Sequence, residues 1–453
     1  MAKQDAAAAV AAFRAAHPSI ETVDPLIVDM VGAVRGKRLA IDALDKVIGG
    51  GVVLPGSTYV MDILGNNVDA TGMGPRDGDP DYPCHMVPGS LVPIPWATRP
   101  RAQALMSMTF PDGTPYPYDP RAILAAVAAR FAPLGLRPTV AVELEFYLLD
   151  PARAADGGVR VAAPGGKAPT ETQVYSLEDL DAIAPFLDDV QRACAIQGIP
   201  ADVATAEYAP GQYEINLRHV DDPVLAADHA ILLKRAIRGT AERHGYVATY
   251  MAKPFIELPG NGTHIHLSLW DAQGRNVFDE GDAGSDRLRH AIGGLRATMA
   301  ESMALFAPNA NSYRRIRPGA WVPMAPTWGF NNRTVAVRIP ATLGKATRLE
   351  HRVAGADANP YLVLAAVLAG VHHGLERRLD PGPPIEGNAY DQVPALMPDS
   401  WAAALDQHDA GTILPTYIDR RYWSFYGMVK RHERRTFEGR VTPTEYDWYL
   451  TTV

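Results

Sequence analysis

The segment Ala141-Val-Glu143-Leu-Glu145-Phe-Tyr147-Leu-Leu149 sets two carboxylates into an otherwise apolar run. The longer stretch Thr139–Leu149 reads as a strand. Successive side chains on a strand alternate between its faces, so Glu143 and Glu145 point the same way. Two carboxylates on one face of a buried strand repel each other and are costly to take out of water. A divalent cation between them removes both objections. A half-exposed strand with a polar face is the other reading that this pair leaves open.

Three further segments extend the pattern. In Glu207-Tyr-Ala-Pro210-Gly211-Gln-Tyr-Glu214 the Pro-Gly pair suits the centre of a type II turn. A hairpin closed there sets Glu207 directly opposite Glu214, which destabilises it unless positive charge lies between them; two exposed loop carboxylates are the alternative. In Gly260-Asn-Gly-Thr-His264-Ile-His266-Leu-Ser268 both histidines share a strand face after a glycine-rich approach, a pattern that suits ligation. In Arg348-Leu-Glu350-His-Arg352 a carboxylate stands between two guanidiniums. That is either an ion-pair ladder or a place for metal-bound polyphosphate and a carboxylate substrate. Five glutamates and a histidine form an oxygen-rich donor set, better suited to Mg²⁺ or Mn²⁺ than to Zn²⁺. Arg315, Arg333 and Arg338 add charge for phosphoryl oxygens.

Around these segments the chain divides into three zones. Residues 20–100 hold short strand-like runs, Thr22–Asp29 and Val52–Ile63, separated by turns such as Gly49-Gly50-Gly51. A helix capped by Asp119 runs to about Phe131, and Pro151–Pro169 reads as a surface excursion. Helical periods follow at Leu177–Gln197, Val224–His244 and Arg287–Phe306, and a last helical zone starts at Asn359-Pro360. The fold class is α+β, with a small β-rich N-terminal domain before a large mixed one.

The formal net charge of −8 leaves no broad basic field for nucleic acid. The run Lys430-Arg431-His432-Glu433-Arg434-Arg435 reads as the solvated face of a terminal helix. No stretch reaches the ~18 apolar residues of a membrane span. Only Cys84 and Cys194 occur, widely separated, which suits a reducing, cytoplasmic setting.

Taken in order, these segments resemble the glutamine synthetase family across nearly the whole chain. The most specific stretches are Asn309-Ala-Asn-Ser-Tyr-Arg-Arg-Ile-Arg-Pro-Gly-Ala320, then Asn331-Asn332-Arg333 and Val337-Arg338-Ile339-Pro340. Arg348 to Tyr361 completes the series. The resemblance implies an N-terminal β-grasp domain with a leading helix at 1–110. It implies a catalytic domain at 111–453, built on a curved antiparallel sheet with helices. A dodecamer of two hexameric rings is implied, with active sites between neighbouring subunits and two or three Mg²⁺ or Mn²⁺ in each. One metal site would use Glu145, Glu207 and Glu214, and another Glu143, His264 and Glu350. Glutamate would lie near Gly260, Arg315 and Arg352; ATP would meet His266, Ser268, Arg333, Arg338 and Arg348. Arg315, Arg333 and Glu350 would be the catalytic residues.

Two departures bear on the substrate. Ammonia-using members carry a glutamate after the flap's Pro-Gly, where this chain has Trp321, and an aspartate before an N-terminal Gly-Ser, where it has Pro55. Losing both acids removes the pocket for ammonium, while an aromatic offers an apolar wall or a cation–π face to a larger amine. Asp62-Ile-Leu-Gly65, Met251-Ala-Lys-Pro254 and Arg352-Val-Ala-Gly-Ala-Asp357 look closer to the gamma-glutamylputrescine synthetase group of gamma-glutamyl-amine ligases. The expected activity is ATP-dependent joining of the glutamate γ-carboxylate to putrescine, another polyamine, ethanolamine or an alkylamine. Trp321, Pro55 and Tyr59 would surround that amine. An ammonia-dependent glutamine synthetase and a non-catalytic ring-forming relative are the alternatives. Tyr390 lies near where some ammonia-using members are adenylylated, but its surroundings match poorly and no such regulation is expected.

Overall fold

The computed structural model describes residues 3–154, 157–166, 171, 173–280, 284–342 and 344–453. Parts of the Pro151–Pro169 excursion lie outside the described residues. The first sheet holds β1 (Thr22–Val28), β2 (Val34–Gly36), β3 (Leu39–Ala40), β4 (Val52–Pro55), β5 (Asp81–Met86), β6 (Val92–Pro93) and β7 (Arg101–Met108). Its order is β2-β1-β7-β5-β4, with β3 on β1 and β6 on β7. The central pair β1 and β7 is parallel, Val23 beside Ala102 and Leu26 beside Leu105. Helices α1 (Lys3–Ala16) and α2 (Leu44–Ile48) accompany it. The expected strand Val52–Ile63 ends at Pro55, and Gly56–Val60 turns as a 3₁₀ helix instead. Proline contributes no N–H to continue a ladder, which accounts for the early stop.

The second sheet carries the site. Its strands are β8 (Leu136–Leu149), β9 (Ala201–Ala206), β10 (Gln212–Leu217), β11 (Val247–Thr249), β12 (Thr263–Asp271), β13 (Trp328–Phe330), β14 (Val337–Ile339) and β15 (Leu349–His351). They run β13-β14-β15-β12-β8-β10-β9, with β11 on β8. All pairs are antiparallel except β13 with β14. The long strand β8 is the spine, flanked by β12 on one side and β10 on the other.

Helices pack behind this sheet, and their starts follow local capping chemistry. They are α3 (Pro120–Ala129), α4 (Leu177–Ala182), α5 (Ala184–Gln197), α6 (Pro223–Arg243), α7 (Asp286–Phe306), α8 (Ser312–Arg315) and α9 (Pro360–Arg377). Asp119, Asp222, Ser285 and Asn359 each accept a backbone N–H at the first turn of α3, α6, α7 and α9, satisfying donors that a helix leaves unpaired. The single helical period expected over Leu177–Gln197 is two helices, broken at Ile183 ahead of Pro185. Asn359 also donates from Nδ2 to Asp29 O, 2.9 Å away at the end of β1, so one side chain ties both sheets together. One apolar core runs from Val23 and Leu105 through Val142 and Ile265 to Val367 and Tyr426.

Four helices close the chain: α10 (Ala389–Gln392), α11 (Trp401–Asp409), α12 (Arg420–Glu438) and α13 (Pro443–Tyr449). The basic run on α12 is not a uniformly solvated face. Lys430 and Glu433 are buried and paired at 2.9 Å, and Glu433 also accepts Ile63 N at 2.8 Å. A long side chain and its carboxylate partner three residues on can turn inward together where a lone lysine could not.

Candidate active site

The pleat of the second sheet assembles the site. Glu143 and Glu145 lie two apart on β8; His264 pairs with Glu143 across β12, and Glu214 pairs with Glu145 across β10. Farther along, Glu350 on β15 stands between His266 and Arg338. Every expected metal ligand thus reaches one cavity of about 390 Å³.

The β9–β10 hairpin differs from expectation in register. Gln212 N donates to Ala209 O at 3.1 Å across Pro210-Gly211, the turn the sequence suggests. Glu207, however, hydrogen-bonds through its N–H to Gln212 O, and Glu214 pairs with Thr205. Residues 208–211 form the loop, two more than a tight hairpin has, so Glu207 and Glu214 are diagonal neighbours rather than opposed ones. A slip of two residues preserves the face on which a strand residue points, and Glu207 still lines the cavity.

One donor atom from each of Glu143, His264 and Glu350 lies within 4.8 Å of the others, and the same holds for Glu145, Glu214 and His264. Glu207 stands outside both groups. His264 Nδ1 lies 3.0 Å from Glu143 Oε2, and His266 Nε2 lies 2.8 Å from Glu143 Oε1. Arg348 Nε donates to His266 Nδ1 at 3.0 Å, so His266 carries its own proton on Nε2 and donates it to Glu143. Burial raises the Glu143 carboxyl, but these imidazole hydrogen bonds outweigh it and hold it well below the usual range. Glu350 is almost wholly buried, bonded to Arg352 and, at 2.9 Å, to Arg338. Burial opposes its ionisation, yet Arg352 and the nearby histidines bring it down to about 2.

The other carboxylates fare differently. Among the described residues no arginine or lysine pairs with Glu145, Glu207 or Glu214. Burial and then Glu145 push Glu207 up to about 7. Burial and then Glu143, Glu145 and Glu207 push Glu214 well above its ordinary value. Buried like charges of this kind need a cation of high charge density, and the oxygen donors with one imidazole fit Mg²⁺ or Mn²⁺.

Arginines fence the opposite wall. Arg315, on α8, is buried and donates to Val353 O at 2.9 Å; Arg333, Arg338 and Arg352 complete the lining. The two most specific sequence stretches hold each other here. Asp357 accepts from Asn309 Nδ2 at 2.7 Å and Ser312 Oγ at 2.6 Å, fixing the helix that carries Arg315. Gly260 also lines the cavity, its carbonyl accepting from Gln212 Nε2 at 3.0 Å. Trp321 lies in the same wall, over half exposed, with φ +56°. His266, Arg348 and Ser268 lie one step farther along the strands; Ser268 Oγ accepts Trp270 Nε1 at 3.0 Å.

Pro55 and Tyr59 do not line this cavity. Tyr59 is sealed in the core of the first sheet, its ring 5.9 Å from that of Tyr116. Sequence reasoning missed Gln212 and Asn216, which share a face of β10 with Glu214 and line the cavity. The same period-two alternation that singled out the glutamates would have found them. It also missed Val174, Tyr175 and Tyr208 at the cavity's edge, where no local pattern marks them.

Clustered carboxylates and an imidazole beneath a row of arginines are the groups that could hold a divalent ion and phosphoryl oxygens. Residues 117–449 match the family described as glutamine synthetase, catalytic domain, and the chain belongs to the glutamine synthetase family. It is 43% identical over 437 residues to gamma-glutamylputrescine synthetase PuuA of Escherichia coli (strain K12), covering 96% of this chain and 92% of that one. It is 34% identical over 437 residues to gamma-glutamylethanolamide synthetase GlnA4 of Streptomyces coelicolor (strain ATCC BAA-471 / A3(2) / M145), covering 95% and 92%. A solved GmaS/ADP complex superposes with a TM-score of 0.85 at 29% identity, covering 97% of this chain and 99% of that one.

Proposed function

We propose that this chain is an ATP-dependent ligase that joins the γ-carboxylate of glutamate to an organic amine. The observation that carries the reading is Trp321 in the wall of a cavity otherwise lined by clustered glutamates, His264 and arginines. An indole where ammonia-using relatives place a carboxylate cannot hold ammonium by charge, but it offers a face to an alkylammonium or its carbon chain. Relatives named for putrescine and for ethanolamide support the same substrate class.

Glu143, Glu145, Glu207, Glu214, His264 and Glu350 would hold two or three Mg²⁺ or Mn²⁺. Bound there, the ions neutralise charge on phosphoryl oxygens. Arg315, Arg352 and the backbone at Gly260 orient the glutamate, bringing its γ-carboxylate to the phosphate. Arg333, Arg338 and Arg348, with His266 and Ser268, hold the ATP phosphates. Arg315 and Arg333 steady the transferring group while Glu350 keeps Arg338 and Arg352 in position. The carboxylate attacks the γ-phosphorus and ADP leaves. The amine nitrogen, having released a proton to solvent, then attacks the γ-carbonyl of the acyl phosphate; the amide C–N bond forms, and phosphate departs with its C–O bond broken, carrying off the nitrogen's second proton. The loop bearing Trp321 excludes water, which would otherwise take the amine's place.

The proposal extends to a 1–110 and 111–453 domain division, a dodecamer of two hexameric rings and a cytoplasmic setting. The separate sheets support the first, and family membership the second. Among the described residues no helix is long and apolar enough to cross a membrane. Phosphate release with ATP, Mg²⁺ and glutamate is the test, supplying ammonium, putrescine, spermidine, ethanolamine and monoalkylamines in turn. Turnover with an organic amine and little with ammonium is expected. Turnover best with ammonium would overturn the amine assignment.

A further inference from the structure

A second cavity, about 820 Å³, lies away from the catalytic one and shares no residue with it. Its walls come from the turn after β1, the segment leading into β7, and the outer face of α6. Arg38, Arg101, Arg235, Arg238 and Arg243 line it, with the buried Lys234 beside them turned to backbone carbonyls, against a single lining carboxylate, Glu242. Asp24, just beneath, is shared by Arg38 at 2.8 Å and by Arg101 and Arg235, each at 3.7 Å. Among the described residues no ion pair reaches Lys234, Arg238 or Arg243. Arg238 lies over the Tyr250 ring at 4.9 Å, and Arg243 donates to Pro95 O.

Several of these cations are withdrawn from water. Arg101 Nε is buried without a hydrogen-bond partner. Lys234 is buried, its Nζ donating to the carbonyls of Ala356 and Ala358. Burial lowers Arg235; Asp24 opposes this, and the neighbouring Arg101 and Arg38 add to the lowering. Trp96 closes one end; its ring lies so close on α6 that a Cβ at Gly239 would come within 2.1 Å of it, so only glycine admits the indole there. Guanidiniums crowded around one carboxylate repel one another, so the arrangement is a weak source of stability. Their planar forks suit phosphate oxygens, and the space is far larger than a single phosphate group requires.

We propose that this cavity binds a small polyanion of the polyphosphate class, separately from the catalytic site. A ligand of linked phosphates reaches arginines on several walls at once and supplies the negative charge that the chain itself withholds. Because it would bridge the first sheet to α6, its binding stabilises the contact between them.

The test uses the intact protein in EDTA, which suppresses metal-assisted binding of phosphates at the catalytic site. Inorganic tripolyphosphate and, separately, citrate are titrated by calorimetry into wild type, Arg238→Glu and Arg38→Glu. Both arginines are exposed, and neither belongs to the catalytic machinery. Tripolyphosphate should bind the wild type, and each variant about tenfold or more weakly, since each loses a charge-assisted contact and gains a repulsion. Turnover of both variants without tripolyphosphate should match the wild type. Equal binding by all three proteins would place the ligand elsewhere and overturn the proposal. So would no binding to the wild type, as when a neighbouring subunit fills the cavity. Binding of citrate alone would overturn the polyphosphate assignment.

Discussion

Glu214 shows most directly how single residues carry the site. It is buried beside Glu143, Glu145 and Glu207, all raising its proton affinity. Replacing it by Gln removes one repelling charge while keeping the shape. Glu214→Gln should therefore melt a few degrees higher than wild type in EDTA, and should lose most of the upward shift that Mn²⁺ gives the wild type. Differential scanning fluorimetry reads both; a Mn²⁺ shift of undiminished size would remove Glu214 from the ligand set. Trp321 supports a second prediction. Trp321→Glu restores an acid to the cavity wall, and the ratio of kcat/KM for ammonium to that for putrescine should rise by about tenfold or more. An unchanged ratio would mean the indole does not set amine choice. Both residues were legible in the sequence for different reasons. Glu214 lies on an alternating strand, where period alone assigns a face, whereas Trp321 was visible only against a family pattern. Tyr59 shows the limit: nothing local to Gly56-Ser57-Thr58-Tyr59 distinguishes a ring pointing into the core from one pointing at a ligand.

At the scale of elements, alternation survives errors that position does not. The β9–β10 hairpin was read two residues out of register, yet every carboxylate stayed on its face because the error was even. Helix boundaries were legible wherever a cap side chain stood before the first turn, as at Asp119 and Asn359. The break between α4 and α5 was not, because the apolar period runs through it and only Pro185 marks it. The buried Lys430–Glu433 pair was also hidden, since charge in sequence looks the same on either side of a helix. The hairpin turn can be tested. Gly211 has φ +69°, and a Cβ there would lie 2.3 Å from Val161 Cγ1. Gly211→Ala should strain the turn by about 1–2 kcal/mol and shift Glu207 and Glu214 together. Activity at fixed glutamate should then recover in part as Mn²⁺ is raised. Loss of activity that no metal concentration restores would locate the damage elsewhere.

The whole molecule adds a dependence on pH that no single strand reveals. Lys234, on α6, is buried, and its ammonium is pushed down to about 7 by burial first and by Arg238 second, against the opposing pull of Asp357. In the unfolded chain its ordinary value is near 10.5. Between these values the unfolded state holds a proton that the folded state has released, so this lysine favours folding increasingly as pH rises from about 7 to 10. Lys234→Met removes the group. Measured by denaturant unfolding across that range, the wild type should gain stability relative to the variant as pH rises; a constant difference would refute the linkage.

Asn359 has a consequence for how such a chain can be divided. Its side chain caps the helix that follows the active-site strand β15 and, with its amide nitrogen, holds the backbone just past β1. The seam between the two sheets is stitched through a residue that neither half can spare. Cutting before residue 117, where the recognisable family segment begins, would not leave a trimmed enzyme. It would bare one side of a shared interior and loosen the start of the helix that packs against α3, α6 and α7. The N-terminal portion is thus a keystone, and fusions or transplants made at that border should carry it along.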